Sequence, residues 1–582
     1  MLHINEGKSM NQKIIKACQW GFVVATFFLL LYRITLHADT YDEITNLNIS
    51  YRIAMGDIPF YHCWEAYQGG DIFLAPFIWL FVKATGGTTG IILFSRVLYI
   101  MILIVCAGLF NGLFKQYMNA ENAFFLSYII VFFEIYSLFY LWYDTVAIIF
   151  FFLGDLAIIY AVENPKKRAL FLILGGICHC CMVISYFVFI PMALVIAICI
   201  AFLVYNFYNR RIGVAFKALC LYAVGAFIVT IVFLFYLEFN AGIEKVSEVL
   251  IMILSDRSVK EGSFFGIVFD VFKAFILANP YLSILSFGVL FAYFKVRKEQ
   301  KYFWILAFGI VILPILNRLF LAETSVRGAA SYLAYIGYWC PLLYLVIQRK
   351  INFDRCLLLI CWLPFIVSMF LIPTVSNYSG VGPIKAWQMC LPAALSSLYY
   401  IGKIWMEIYG ENSFLPYGVL YGLVVISLLV NAYSFNFLNQ PLIGSGDNRI
   451  KDGIYWGIKV KPEMECMVEL ETMVQEYTKG CETILASGEI KSIYLMTELK
   501  PVARMTEVAA VFDGEIYSWD NQIQYFEYFS TLPDIMFLEA YDLMDRKIIN
   551  ILDGKYRFVA EENIGQHNIY IYKLNEIEQR IY

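Results

Sequence analysis

Up to about position 437, apolar stretches of near-span length alternate with short polar or basic breaks; beyond it the apolar runs shorten and charges return. A stretch of about 20 apolar residues crosses the hydrocarbon of a bilayer. The pattern therefore predicts about thirteen spans, near 17–36, 89–114, 123–141, 143–162, 169–186, 188–206, 213–237, 280–295, 302–321, 329–347, 356–373, 385–403 and 414–435. Between the first two lies a loop, about 37–88, that mixes apolar residues at helical spacing with Gly and Pro. It predicts one or two helices in the interface, with Tyr51, Phe60, Tyr61, Trp64 and Tyr67 at headgroup depth. In the tail, 438–582, "KVKPEMECMVELETMVQEYTKG" has helical spacing. The runs "ETILASG", "SIYLMT", "PDIMFLE", "YRFVAEE" and "NIYIYKL" read as strands, the last two around a turn at "NIGQHN". The predicted architecture is mainly α: a polytopic membrane helix bundle, 1–437, with a small C-terminal extracytoplasmic α/β domain, 438–582.

Basic residues orient the spans. With the N-terminus inside, the inner loops receive Lys8, Lys13 and Lys16, Lys115, "KKR" at 166–168, "RR" at 210–211, "KVRKEQK" at 295–301 and "RKINFDR" at 349–355. An odd number of crossings then puts the tail outside, together with the first loop. The first span follows lysines and lacks a small-residue cleavage site, so it reads as a retained signal anchor.

Composition sharpens the setting. The chain is 60% hydrophobic, 18% aromatic and 15% charged, against about a quarter charged in soluble domains. A net charge of −4 in 582 residues offers no basic surface for nucleic acid. Most of the 14 cysteines fall in apolar segments; Cys466 and Cys481 lie in a polar region where a disulfide is conceivable.

Chemistry concentrates directly behind the first span. The stretch "LHADTYDEITNLN" places Asp39, Asp42 and Glu43 within five positions at the predicted outer boundary. A solvated end to the span is the plain alternative. The chemical reading is a general base beside a second carboxylate that raises its pKa, suited to taking a proton from a hydroxyl.

The order of residues here, "DEITNLNISYRIAMGDIPF", then "HCWEAYQGGDIFLAPFIWLFVKATGG", then "SRVLYI", resembles the first outer loop and second span of polytopic GT-C glycosyltransferases, especially bacterial relatives of protein O-mannosyltransferases and aminoarabinose transferases. Asp42-Glu43 matches the family's Asp-Glu pair and Gly56-Asp57-Ile58-Pro59 its G-x-x-P turn. "FYLWYDTVAIIFFFLGDLAIIYA" and the Gly175-Gly176 segment look like its later spans. The resemblance implies an enzyme that takes a hexosyl or pentosyl group from a polyprenyl-phosphate donor at the outer face and gives it to a cell-envelope glycan, lipid or protein. It makes Asp42 the base, Glu43 its neighbour and Asp39 the reserve. Some members use a divalent ion and others do not, so metal stays open. Independently, the chain has no P-loop, no G-x-G-x-x-G after a strand and no D-x-D, in keeping with a donor that is not a nucleotide.

A leaving phosphate calls for a cation. Arg327 in "LAETSVRGAASY" and Lys385 in "NYSGVGPIKAWQ" are the preferred pair, with Arg257 and Lys260 behind them; snorkelling interfacial residues are the alternative for each. "PTVSNYSGVGPIK", 373–385, reads equally as a loop over the donor or a plain turn. Asp144 in "WYD" falls at the depth of the first loop, where it would orient an acceptor; His37 and His62 flank the same region as candidates to bind substrate or metal, a lone interfacial histidine that only hydrogen-bonds being the alternative. Arg96 and Glu134 within spans read as structural pairing. "CHCC", 178–181, invites a metal reading, but without a second ligand cluster small-residue packing accounts for it better. Two other classes stay in view. A transporter or flippase of lipid-linked saccharides would favour paired half-repeats and midplane charges. A non-catalytic envelope-assembly protein would tolerate loss of the first-loop carboxylates.

Overall fold

The computed structural model describes residues 2–37, 42–65, 67–135, 139–207, 210–255, 333–334, 336–337, 357–371, 388–409, 414–434, 448–460, 465–506, 508 and 519–575. The predicted spans 280–295 and 302–321 and most of 329–347 lie outside these residues.

The chain opens with helix α1 (Leu2–Arg33), then α2 (Asp42–Ala54) and α3 (Asp71–Thr85) in the first loop, where two helices follow the apolar spacing. Next come α4 (Ile91–Phe114), α5 (Ala120–Tyr128), α6 (Tyr143–Glu163), α7 (Arg168–Ser185), α8 (Ile190–Phe207), α9 (Ile212–Asn240) and α10 (Ile243–Ser255). Further on are α11 (Leu363–Leu371), α12 (Leu391–Tyr409) and α13 (Phe414–Ser434). Among the described residues five helices are long and apolar enough to cross a membrane: 91–114, 143–163, 168–185, 187–207 and 212–240. Of these, α6 is the most enclosed; α7 packs along it, and α9 packs on α7 and α8.

The predicted span 123–141 is not one helix. Asn119 caps α5 by accepting from the Asn122 N–H at 2.8 Å, but the helix tightens to a 3-10 turn at Ile129–Phe132 and then gives way to extended chain carrying the buried Glu134. Non-helical backbone at such depth needs partners from outside the segment, and the Tyr99 hydroxyl of α4 donates to the Phe133 carbonyl at 2.9 Å. Further along the bundle, glycines bring helices into backbone contact. A Cβ on Gly176 would lie 2.0 Å from the Tyr222 carbonyl oxygen, and one on Gly225 would lie 2.1 Å from that of Ile173, so α7 and α9 meet at these two positions.

The tail begins with β1 (Asn448–Arg449) and β2 (Lys459–Val460), then α14 (Cys466–Tyr477), β3 (Thr483–Ala486), α15 (Ile493–Thr497), β4 (Lys500–Pro501), α16 (Trp519–Phe529), β5 (Ile535–Glu539), α17 (Arg546–Leu552), β6 (Tyr556–Ile564) and β7 (His567–Leu574). Its five-stranded sheet has the order β4-β3-β5-β7-β6. Here β3 is parallel to both neighbours, and β6 and β7 form the antiparallel hairpin. "SIYLMT" is helical rather than extended. Its Tyr494 hydroxyl bonds both the N–H and the carbonyl of Ala486, so tertiary contacts override strand propensity. Cys466 and Cys481 are free thiols, not a disulfide.

The tail is seated on the first loop. The Lys459 N–H donates to Thr35 O at 2.7 Å and the His37 N–H to Lys459 O at 2.9 Å, which joins β2 to the chain just past α1. The Trp64 N–H bonds Arg504 O, the Asn48 amide bonds Lys491 O, and the Thr88 hydroxyl bonds Leu495 O. Tyr61 and Trp64 pack edge-on against Tyr525, Tyr528 and Phe529. Tyr51, Phe60 and Trp64 are buried in protein; Phe60 lies against Phe187 and Phe233.

Candidate functional site

Asp42 opens α2 and is half-buried; its backbone carbonyl accepts from the Asn46 amide. Glu43 is fully enclosed and gripped by Arg96 of α4. Nε of the guanidinium donates to one carboxylate oxygen at 2.7 Å and Nη2 to the other, while Nη1 donates to the Ile34 and Leu36 carbonyls at 2.8 and 3.2 Å. One guanidinium thus ties the end of α1, the start of α2 and the second span together. The pairing read for Arg96 is with Glu43. Because that charge is matched, Glu43 does not stand beside Asp42 as an uncompensated negative neighbour. Arg33, the last residue of α1, is buried with its guanidinium 5.7 Å from the Phe139 ring centre. Asp39, Arg327, Lys385, Arg257 and Lys260 lie outside the described residues.

His62 holds the G-x-x-P turn. Gly56 adopts φ +110°, which only glycine takes readily. After it, Nδ1 of His62 accepts from the Ile58 N–H at 3.0 Å. The His62 carbonyl receives Arg52 Nη2 and the Tyr525 hydroxyl, each at 2.9 Å, and Arg52 Nε pairs with Asp57 at 2.8 Å. Burial lowers the His62 pKa, partly offset by Asp57, which is the direction that favours an Nδ1 lone pair accepting from the turn.

A second polar group forms where the loop meets the ends of α6 and α7. The glycines of "QGGD" are the hinge of this contact. A Cβ on Gly69 would lie 1.9 Å from the Ile184 carbonyl oxygen, and one on Gly70 would lie 2.4 Å from Tyr143 Cα. The approach puts Tyr67 in a stack on Tyr143, with ring centres 4.9 Å apart, and edge-on to Tyr186. Asp144, the second residue of α6, is fully buried beside them. Tyr67 is 36% exposed, but its surroundings still desolvate the hydroxyl and raise its pKa, and the carboxylates of Asp144 and Glu65 add to the shift, so both are within electrostatic reach of it. Asp71 accepts from Ser50 of α2 at 2.6 Å, and burial first, then Glu65, raises its pKa well above the usual range. Glu65 is held from the tail: the Thr506 N–H and hydroxyl donate to its Oε1 at 3.0 and 3.2 Å.

The structure therefore brings Asp144 together with Tyr67, read from the sequence only as an interfacial aromatic, and with Glu65 and Asp71, which were not singled out in the sequence. Asp42 sits at the far end of α2, eight residues or about 12 Å of helix from the Ser50 that reaches Asp71. Among the described residues no three His, Cys, Asp or Glu side chains converge as a metal site requires.

No family model and no curated protein matches the chain. Among solved structures it is similar to an Archaeoglobus fulgidus oligosaccharyltransferase in complex with Zn and sulfate, at 12% identity and TM-score 0.48 over 94% of this chain and 72% of the other. It is also similar to ArnT from Cupriavidus metallidurans in the apo state, at 11% identity and TM-score 0.43 over 96% and 98% of the two chains. Archaeal oligosaccharyltransferase AglB from Archaeoglobus fulgidus, with an inhibitory peptide and a dolichol-phosphate, matches at 12% identity and TM-score 0.44 over 97% and 75%. Likeness at this level carries no family, activity or residue role over to this chain.

Proposed function

We propose that the protein is a membrane glycosyltransferase that moves a hexosyl or pentosyl group from a polyprenyl-phosphate carrier to a cell-envelope acceptor at the outer face, where the first loop and the tail lie together. The observation that carries this reading is the half-buried Asp42 at the start of α2, anchored through its neighbour Glu43 by the Arg96 clamp at the junction of membrane helices and tail. In the reaction the Asp42 carboxylate takes the proton of an acceptor hydroxyl. That oxygen forms a bond to the anomeric carbon as the bond from this carbon to the lipid phosphate oxygen breaks, and the phosphate leaves with the electron pair. Arg327 and Lys385 are proposed to meet the phosphate, with Arg33 as a described cation near the same end of α1. Asp39 is the reserve base. Asp144, with Tyr67, is proposed to orient the acceptor, and His62 supports that wall by fixing the turn rather than by touching substrate. The test is transfer of labelled sugar from lipid carrier to envelope material in purified membranes by wild type and Asp42→Asn.

One observation favours the transporter reading: Asp155 and His179 are buried polar groups midway along α6 and α7. Uptake of a lipid-linked saccharide into vesicles without any transfer product would select it.

A further inference from the structure

Asp155 and His179 face one another inside the helix bundle, away from the first loop. Asp155 is 11 residues, about 16 Å of helix, beyond Asp144 on α6. Each is only 1% exposed. His179 Nδ1 lies 3.1 Å from the Tyr222 hydroxyl of α9, and its Nε2 lies 3.6 Å from Asp155 Oδ1. Neither Asp155 oxygen has a hydrogen-bond partner among the described residues, nor does His179 Nε2. Gly154 makes room for the ring, since a Cβ there would fall 2.3 Å from Nε2.

An ionised carboxylate in such surroundings is strongly disfavoured unless a cation sits on it. A charged Asp–His pair would close to the 2.7–2.9 Å typical of charge-assisted bonds, as Arg96 and Glu43 do at 2.7 Å in this same molecule. At 3.6 Å the two groups make no direct hydrogen bond, so no ion pair offsets a charge on Asp155. Among the described residues the other titratable groups close by are thiols and a phenol: Cys178 and Cys180 of α7, Cys199 of α8, Tyr222 of α9, and Cys106 of α4 on the Cys178 side.

We propose that Asp155, His179 and Tyr222 form an intramembrane proton-binding site, in which Asp155 is a neutral carboxylic acid beside the neutral His179 ring and Nδ1 of that ring shares a hydrogen bond with the Tyr222 hydroxyl. All three groups are then neutral, and gain or loss of one proton switches the charge of the junction where α6, α7 and α9 pack. The site is independent of the proposed sugar transfer.

The test uses the full chain in its native membranes at neutral pH. N,N′-dicyclohexylcarbodiimide reacts with protonated carboxyls in lipid surroundings, and peptide mass spectrometry locates the adduct. The expected result is an adduct on Asp155 that excess sodium or lithium chloride does not suppress. In parallel, Asp155→Asn keeps the wild-type thermal transition, because the amide is uncharged and has the shape of the neutral acid, whereas Asp155→Leu lowers it. No adduct at Asp155 overturns the proposal. Suppression by sodium or lithium overturns it in favour of a metal-cation site. Asp155→Asn destabilised as much as Asp155→Leu overturns it in favour of a charged pair.

Discussion

Replacing Arg96 by leucine removes the clamp on which the first loop hangs. Glu43 has no exposed surface, and both of its carboxylate oxygens are taken up by Arg96. Loss of the guanidinium therefore leaves a buried carboxylate without its cation, which costs about 3–5 kcal/mol. The Ile34 and Leu36 carbonyls, at 2.8 and 3.2 Å from Nη1, lose a donor as well, adding about 1 kcal/mol each. Arg96→Leu with Glu43→Leu removes the orphaned charge and restores an apolar contact, so it recovers about 3 kcal/mol of the loss. Fluorescence-monitored thermal unfolding in detergent should rank wild type first, the double variant second and Arg96→Leu last. A single variant as stable as wild type, or a double variant below the single one, would refute the view that this pair is a buried clamp.

The glycine contact should be intolerant: Gly70→Ala forces a Cβ against Tyr143 backbone 2.4 Å away, and such overpacking costs about 1–3 kcal/mol, read as a lower thermal transition. Thr506→Val keeps the backbone donor to Glu65 but removes the hydroxyl at 3.2 Å; a loss of about 1 kcal/mol is expected, and none if the tail does not hold Glu65. The lowered pKa of His62 means that the unfolded chain binds a proton the folded one refuses. Stability contributed by neutral His62 is thus full above the ordinary histidine value and is lost as pH falls below it. Thermal scans at successive pH values should show that decline in wild type and a flatter profile in His62→Asn, whose amide oxygen still accepts from Ile58.

Periodicity made the two loop helices, α14 and the β6–β7 hairpin legible because each buries one face at a regular spacing. The Asp-Glu pair was visible by type and position. What Glu43 does was not, because its partner Arg96 is 53 positions away and a span arginine shows no address in sequence. Glu65 and Asp71, and the place of Tyr67 beside Asp144, were hidden for a related reason. The pair Gly69-Gly70 reads locally as a turn, and only the backbones of Ile184 and Tyr143 opposite it give the glycines meaning. The interrupted span after α5 was missed because aromatic and β-branched residues are equally apolar in helix and extended chain, so hydropathy does not report which one forms.

The measurement closest to the central claim is sugar transfer from polyprenyl-phosphate carrier in purified membranes by Asp42→Asn, beside Glu43→Gln and Asp144→Asn. The amide keeps the shape of Asp42 and removes the base, so transfer should fall about 10²–10⁴-fold, with expression and thermal transition unchanged. Asp144→Asn should act chiefly on acceptor dependence. Full transfer by a well-expressed Asp42→Asn protein would contradict the assignment of Asp42 as the base; transfer absent from wild type with every carrier and acceptor offered would contradict the glycosyltransferase reading itself.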